Sequence, residues 1–440
     1  MTFSDTPIDA AAAERLNEHG LRLGLVDTSD AVAFTAWLQA DARGFYGPQT
    51  ARREIDEQLT GTAYRRTTGV WDDTTPDAST PVATVSSWPT PLTVPGVGTV
   101  SSWAISSVTV APTHRRRGIA RALLESELRT AASLRIPLAV LTVSESTIYG
   151  RYGFAPAAMA AELTIDTRRA RFTGPEASGR LHFVSLERLR EQGREVMDRA
   201  RLRAPGEIQL DDHLWDRLVG TAGDPKKESP QRRVVRYDDA DGIAQGFVVY
   251  RVTEGEPDFT QHTVVVEYLL AATDEAYAAL WRYLLEMDLV STVSAPLRSV
   301  DEPLLWQVSD VRAVRRVPTD HLWARILDVP AALSARSYGA PGRIALDVSD
   351  PLGLAAGRFL LEIDAHGVAE VTPLAGNADL PADAAGLALT VNELAALYLG
   401  GTSAHTLLRA GRLTEFTSGA ADAVAASFRS ATAPWLSTWF

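Results

Sequence analysis

Val108-Thr109-Val110-Ala111-Pro112-Thr113-His114-Arg115-Arg116-Arg117-Gly118-Ile119-Ala120 sits where one hydrophobic period gives way to another. Ala104 to Val110 is short and β-branched, Ala120, Leu124, Leu128 and Ala131 recur at helical spacing, and Leu138 to Val143 is again extended. This reads as strand, helix, strand, long enough for a parallel pair with a crossover. Gly118 lets a ligand approach the backbone, and the first amides of the following helix lack intrahelical partners. Together with the arginines they form an anion site suited to a pyrophosphate. The plain alternative is a solvated arginine face and a glycine that merely starts a helix. A nucleoside-triphosphate loop would need Gly-Lys-Ser or Gly-Lys-Thr, and a dinucleotide fold Gly-x-Gly-x-x-Gly; neither is present.

Upstream of the loop, Leu21 to Val26 alternates as a strand, and Thr28-Ser29-Asp30 offers caps for a helix from Ala31 to Ala42. Phe45-Tyr46-Gly47-Pro48 breaks the chain before a second helix, Thr50 to Leu59. Thr67 to Trp71 and Val82 to Trp88 read as antiparallel strands, Pro89 to Gly98 as a proline-rich excursion, and Val100 to Val110 as the strand feeding the loop. These elements make up a first domain over 1–160.

Leu163 to Pro175 turns basic and loses its pattern, as expected of a crossing between domains. The same order then returns: a strand at Arg180 to Val184, a charged helix from Leu186 to about Arg203, and a short segment at Leu214 to Val219. Gly223 to Pro230 has the composition of an exposed loop. A hairpin joins Arg232 to Tyr237 and Ile243 to Val252, Thr263 to Ala272 is extended, Glu275 to Met287 is helical, and Leu289 to Val293 is extended. The repeat, 161–320, has Ala272-Thr273-Asp274-Glu275-Ala276-Tyr277 where the first has its arginines, and acids there repel a pyrophosphate. From 321 to 440, strands (Gly342 to Val348, Gly357 to Ile363, Val368 to Thr372, Ala388 to Val391) precede helices (Asn392 to Leu399, Ala420 to Ala431), an α+β order.

Composition narrows the function. The 440 residues include no cysteine, which removes disulfides, thiolate metal sites and a cysteine nucleophile. The eight histidines are scattered without metal-ligand spacing, so no metal is expected. A net charge of −12 argues against general nucleic-acid binding and is compatible with a cationic substrate. No apolar run is long enough to span a membrane and the N-terminus lacks a signal-peptide layout, making a cytoplasmic location the default expectation.

Arg115, Gly118 and Ala120 meet the coenzyme A loop pattern of the GNAT acetyltransferases, and Ile148-Tyr149-Gly150-Arg151-Tyr152-Gly153-Phe154 resembles the segment that closes the GNAT core. An intact GNAT domain, a second without the loop and a sterol-carrier-like third domain together resemble the Eis ("enhanced intracellular survival") acetyltransferases of actinobacteria. That resemblance implies an α+β chain of two tandem GNAT-fold domains and a sterol-carrier-protein-like domain. It implies acetyl-coenzyme A as donor, a cationic amine such as an aminoglycoside or a lysine side chain as acceptor, and a homo-hexamer. Val108, Thr109 and Val110 would flank the pantetheine arm, Arg115, Arg116, Gly118, Ile119 and Ala120 would hold the pyrophosphate, and Ser144 would lie where the donor passes. Trp37, Asp41, Phe45, Tyr46 and Glu54 are candidates for the acceptor wall.

Tyr149 would be the general acid, since a phenol of pKa about 10 is protonated at neutral pH. The main-chain carboxylate of Phe440 would be the base, although an ordinary α-carboxyl, at about 3.3–3.7, is a weak one. The apolar Pro434-Trp435-Leu436-Ser437-Thr438-Trp439-Phe440 tail is unsuited to free solution. The sequence departs from the family at Trp439, where an acid commonly precedes the terminal Phe. The contrasting non-enzyme reading is a lipid-binding or assembly protein with a vestigial first domain.

Overall fold

The computed structural model describes residues 2–96, 98–222, 231–375 and 381–440; the expected loop Gly223 to Pro230 lies outside them. The first repeat runs α1 (Ala10–Asn17), β1 (Arg22–Leu25), α2 (Ala31–Gly44), α3 (Arg52–Gly61), β2 (Arg66–Trp71), β3 (Ala83–Val94), β4 (Gly98–Val110), α4 (Ile119–Ser133), β5 (Leu138–Thr142), α5 (Ser146–Tyr149) and β6 (Ala155–Asp166). Asp30 starts α2 by accepting from the amides of Val32 and Ala33, and the helix then buries Phe34, Trp37 and Leu38. The helical spacing of Leu124, Leu128 and Ala131 puts them on the buried side of α4.

The second repeat runs β7 (Arg180–Val184), α6 (Leu186–Arg201), α7 (Asp212–Val219), β8 (Arg233–Asp238), β9 (Ala244–Thr253), β10 (His262–Ala271), α8 (Asp274–Leu285), β11 (Val290–Arg298) and β12 (Val314–Ile326). All twelve strands join in one sheet, ordered β1-β2-β3-β4-β5-β12-β6-β11-β10-β9-β8-β7. The order reveals an exchange. β12, the last strand of the second repeat, pairs antiparallel with β5 of the first, while β6, the last strand of the first, pairs antiparallel with β11 of the second. β6 and β12 then pair with each other along most of their length, Val314 opposite Ile165 through Ala324 opposite Ala155. The expected divisions at 160/161 and 320/321 both fall inside these exchanged strands, and Leu163 to Asp166 belongs to β6 rather than to a crossing.

The proline-rich excursion is part of a long hairpin, with Pro89 opposite Trp103 and Pro91 opposite Ser101. Prolines are tolerated there because β2 ends opposite Ser87, leaving an open strand edge. The second repeat covers that edge: the amide of Gln209 donates to the Pro91 carbonyl (2.9 Å) and the amide of Thr93 to that of Glu207 (2.8 Å).

The third unit holds α9 (Val329–Ser334), β13 (Gly342–Ser349), β14 (Gly357–Ile363), β15 (Ala369–Leu374), β16 (Ala385–Thr390), α10 (Val391–Tyr398), α11 (Ala404–Arg409), β17 (Leu413–Glu415) and α12 (Ala420–Phe428). Its sheet is ordered β15-β14-β13-β16-β17. One hydrophobic core runs through all three units, from Trp88 and Leu92 through Trp215 and Phe247 to Leu394, Leu436 and Phe440.

Candidate active site

Two strands that pair and then part make the site. β4 and β5 are parallel neighbours from Ser102 opposite Leu138 to Ala104 opposite Val140, and their pairing stops there. Just beyond, β4 shifts register against β3, with Ser107 in the left-handed region at φ 55°. Such a bulge leaves a residue outside the ladder and bends the strand, and a non-glycine residue there carries strain of the kind that collects at functional sites. Ile105, Ser106, Ser107 and Val108 on one strand, and Leu141, Thr142 and Ser144 on the other, line a cavity of about 380 Å³, together with Asp41, Phe45, Tyr149, Arg217, Trp439 and Phe440.

At one end of β4 lies the arginine loop. Gly118 is the N-cap of α4 at φ 77°, gives the helix no side-chain cap, and would have nothing within 4 Å of an added Cβ. The first amides of α4 thus start beside an open, capless turn that an anion fits. Arg115 and Arg116 are exposed. Arg115 donates to the Tyr46 hydroxyl (3.0 Å), whereas Arg117 is committed to Asp72 (3.3 Å) and the His19 carbonyl (3.0 Å). Of the expected donor-binding residues, Val108 and Ser144 line the cavity. Ile119 points into the core and Ala120 is half-buried in the first turn of α4. Val110 packs on the core of the first repeat. The Thr109 side chain faces away: its hydroxyl meets that of Thr84 at 2.6 Å, and the absence of a side chain at Gly44 lets α2 lie against it.

Tyr149 ends α5, 7% exposed, with its ring edge-on to Phe154 at 6.2 Å. Burial, then the nearby Glu145 charge, pushes its pKa up to about 12, so it keeps its proton throughout the neutral range. Asn392 of the third unit braces the turn behind it, donating to the carbonyls of Gly150 (2.7 Å) and Phe154 (2.8 Å). Arg325 of β12 adds a bond to the Tyr152 carbonyl (2.7 Å) and a buried pair with Asp350 (2.7 Å).

Phe440 is 9% exposed, ring edge-on to Trp88 at 5.9 Å, and its main-chain oxygen accepts from Thr142 Oγ1 at 3.0 Å. The tail reaches this place under restraint. The Trp435 amide donates to the Pro205 carbonyl (2.7 Å) and the Ser437 amide to the buried carboxylate of Glu207 (3.0 Å). The Ser437 hydroxyl meets that of Tyr268 (2.9 Å), and His321 Nε2 meets the Thr438 carbonyl (2.9 Å).

A second cavity of about 400 Å³ opens next to the first and shares Asp41, Ser106, Ser107, Arg217 and Phe440 with it. Glu54, Glu57, Arg65, His213 and Arg232 are among its other walls. Asp41, Phe45 and Glu54 border the cavities. Trp37 instead is core, its indole N–H on the Thr68 carbonyl (2.9 Å), and Tyr46 is exposed beside Arg115. Sequence reasoning missed His213 and Arg217 of α7, since nothing in their own segment signals that the second repeat reaches the first one's site. It also missed Thr142 and the bulge at Ser107, where a glycine would have been the signal.

Three family models match the chain: residues 26–157 match an acetyltransferase (GNAT) domain, 206–326 another acetyltransferase (GNAT) domain, and 329–437 a sterol carrier protein domain. The fold and the parted strands are those of a GNAT N-acetyltransferase. An N-acetyltransferase of Streptomyces avermitilis is 36% identical over 412 residues, 92% of this chain and 96% of its own. N-acetyltransferase Eis of Mycobacterium tuberculosis is 34% identical over 331 residues, 73% of this chain and 76% of its own. The crystal structure of Eis1 from Mycobacterium abscessus superposes with a TM-score of 0.79 at 28% identity, covering 96% of this chain and all of that one. The chain belongs to the Eis family of N-acetyltransferases. GNAT domains imply use of acetyl-coenzyme A, and an amine as acceptor. No described helix is long and apolar enough to cross a membrane.

Proposed function

We propose that the chain transfers an acetyl group from acetyl-coenzyme A directly to the amine of a cationic acceptor, such as an aminoglycoside or a lysine side chain, with Tyr149 as general acid and the Phe440 carboxylate as base. The observation that carries this is the meeting of the last residue and Tyr149 in one cavity, with Phe440 bonded to Thr142, 298 positions away in sequence. Acetyl-coenzyme A, when bound, supplies the activated thioester. Val108, Thr109 and Val110 would flank its arm through their strand, Arg115, Arg116, Gly118, Ile119 and Ala120 would hold its pyrophosphate, and Ser144 would border its path. Tyr149 would give its proton to the leaving thiolate, and a carboxylate held at Thr142 would take one from the attacking nitrogen. In the neighbouring cavity Asp41, Glu54 and Glu57, set among Arg65, Arg217 and Arg232, would receive a cationic acceptor.

Thiol release from acetyl-coenzyme A, followed with kanamycin, a lysine peptide and simple amines, tests the reading; no thiol with any of them, and no binding of coenzyme A, would refute it. The proposed cytoplasmic homo-hexamer rests on family resemblance, and light scattering of the purified chain tests the assembly.

A further inference from the structure

An amine in water near neutral pH is an ammonium, and it must lose one proton before it can attack and a second as the amide forms. Phe440 accounts for the second. We infer that Asp41 accounts for the first: its carboxylate anchors the acceptor's ammonium at the junction of the two cavities and accepts the proton that frees the nitrogen lone pair. In this step an N–H bond of the ammonium breaks, its electron pair stays on nitrogen, and an O–H bond forms on Asp41. The inference rests on the amine-acetylating function proposed for this site.

The geometry is specific. Asp41 lies in the last turn of α2, where it borders both cavities, as Phe440 does. One carboxylate oxygen, Oδ1, is buried without a hydrogen-bond partner. Leaving such an oxygen bare is costly unless something else meets it, and an ammonium provides both donor and charge. The hydroxyls of Ser107 and Thr84 lie beside the carboxylate.

Several charged and titratable groups surround Asp41. On its own helix, Arg43 is turned away to the Pro81 carbonyl (2.8 Å). From α3 come Glu54 and Glu57, from β4 only Ser106 and Ser107, from α7 His213 and Arg217, and from the segments before β2 and β8 Arg65 and Arg232. Arg65 pairs with Asp211 (2.8 Å) and Arg232 with Glu267 (2.5 Å). Burial first, then Arg217 and Arg65, pull the His213 pKa down, which makes this ring a poorer proton acceptor than an ordinary imidazole. Burial raises the Asp41 pKa to about 7, where a base both receives and returns a proton readily.

The test is the pH profile of kcat/KM for Asp41→Asn against wild type, with kanamycin and tyramine as amines. Wild type should lose activity below about pH 7, and the asparagine variant should lose at least about tenfold at about pH 6.5 yet recover to within a few-fold near pH 9, where the free amine is abundant. Asp41→Glu should restore much of the low-pH activity. A variant profile parallel to wild type, or unchanged, overturns the inference while leaving the acetyltransferase reading intact. If neither amine is acetylated, these two acceptors fall out of the proposed reading, and calorimetric binding of kanamycin to the coenzyme A-loaded enzyme decides on Asp41. A loss of about tenfold or more in Asp41→Asn supports the anchor; equal affinity, or no binding to wild type, overturns it.

Discussion

The two repeats use the same strand-parting geometry to opposite ends. In the first, β4 and β5 stop pairing after Ala104 and Val140, and a cavity opens beyond. In the second, β10 and β11 stop after Val265 and Ser294, and the chain's own groups fill the gap between the parted strands. Arg298 reaches from β11 to the Leu269 carbonyl of β10 (2.8 Å), is held by Glu302 (2.9 Å), and lies 4.8 Å from the Trp435 ring. Trp435 bonds the Leu297 carbonyl (2.7 Å), and Ser437 meets Tyr268. The helix ends differ in the same sense. Gly118 leaves α4 without a side-chain cap, whereas Thr273 caps α8 through the Ala276 amide (3.2 Å), with Asp274 and Glu275 in its first turn. A duplicated scaffold thus keeps its shape when its ligand slot is closed from within. Here the closing segment is also the one that delivers Phe440 to the open slot.

The sharpest way to break this contrast is at the shared tail. Deleting Phe440, or extending the chain past it, should lower kcat by about 10²–10⁴-fold with coenzyme A affinity nearly unchanged; full turnover with an added C-terminal tail would end the role assigned to the carboxylate. Next comes Tyr149→Phe, expected to lower kcat by about 10²-fold or more at constant donor affinity. Turnover equal to wild type would return Tyr149 to the status of a core residue.

Donor binding should distinguish the repeats. Calorimetry should find one coenzyme A per chain, and Arg115→Glu with Arg116→Glu should weaken it about tenfold or more, with a salt dependence to match. Two equivalent sites would mean that the second slot opens.

The smallest effect concerns the clamp on the tail. Burial raises the pKa of Glu207 to about 7 against an ordinary glutamate value of 4.5. A carboxyl whose folded pKa is raised binds its proton more tightly in the folded state, so this contribution to stability is present at low pH. It is lost as pH rises through the range between the two values. Glu207→Gln keeps an acceptor for the Ser437 amide and removes the titration, so the fall in melting temperature between about pH 5 and pH 8 should become shallower, by no more than a few kcal/mol of stability. An unaltered slope would show that Glu207 stays ionised.

The arginine loop, the helix behind it and the order of the repeats were legible because each is written locally, in period, caps and turn residues. Asp41 and Glu54 were found at the cavities for the same reason: they sit on helices whose place in the unit was clear. The strand exchange was not legible. Ala155–Asp166 and Val314–Ile326 each need two neighbours, and nothing in either pattern says which repeat provides them. Trp37 shows the other limit. Its residue type suits a ligand wall, but a half-turn of helix decides between cavity and core. Pro89 and Pro91 misled because an open strand edge, visible only in the sheet, makes them acceptable.

The exchanged strands bear on how the protein is made. β5 is complete at Thr142, yet its neighbour β12 begins only at Val314. A ribosome therefore releases the entire second repeat before the first can close its sheet, and until then β5 presents an unpaired edge to the crowded cell. Synthesis that stops between these points leaves a half with its arginine loop and no finished fold, a natural target for chaperones and proteases.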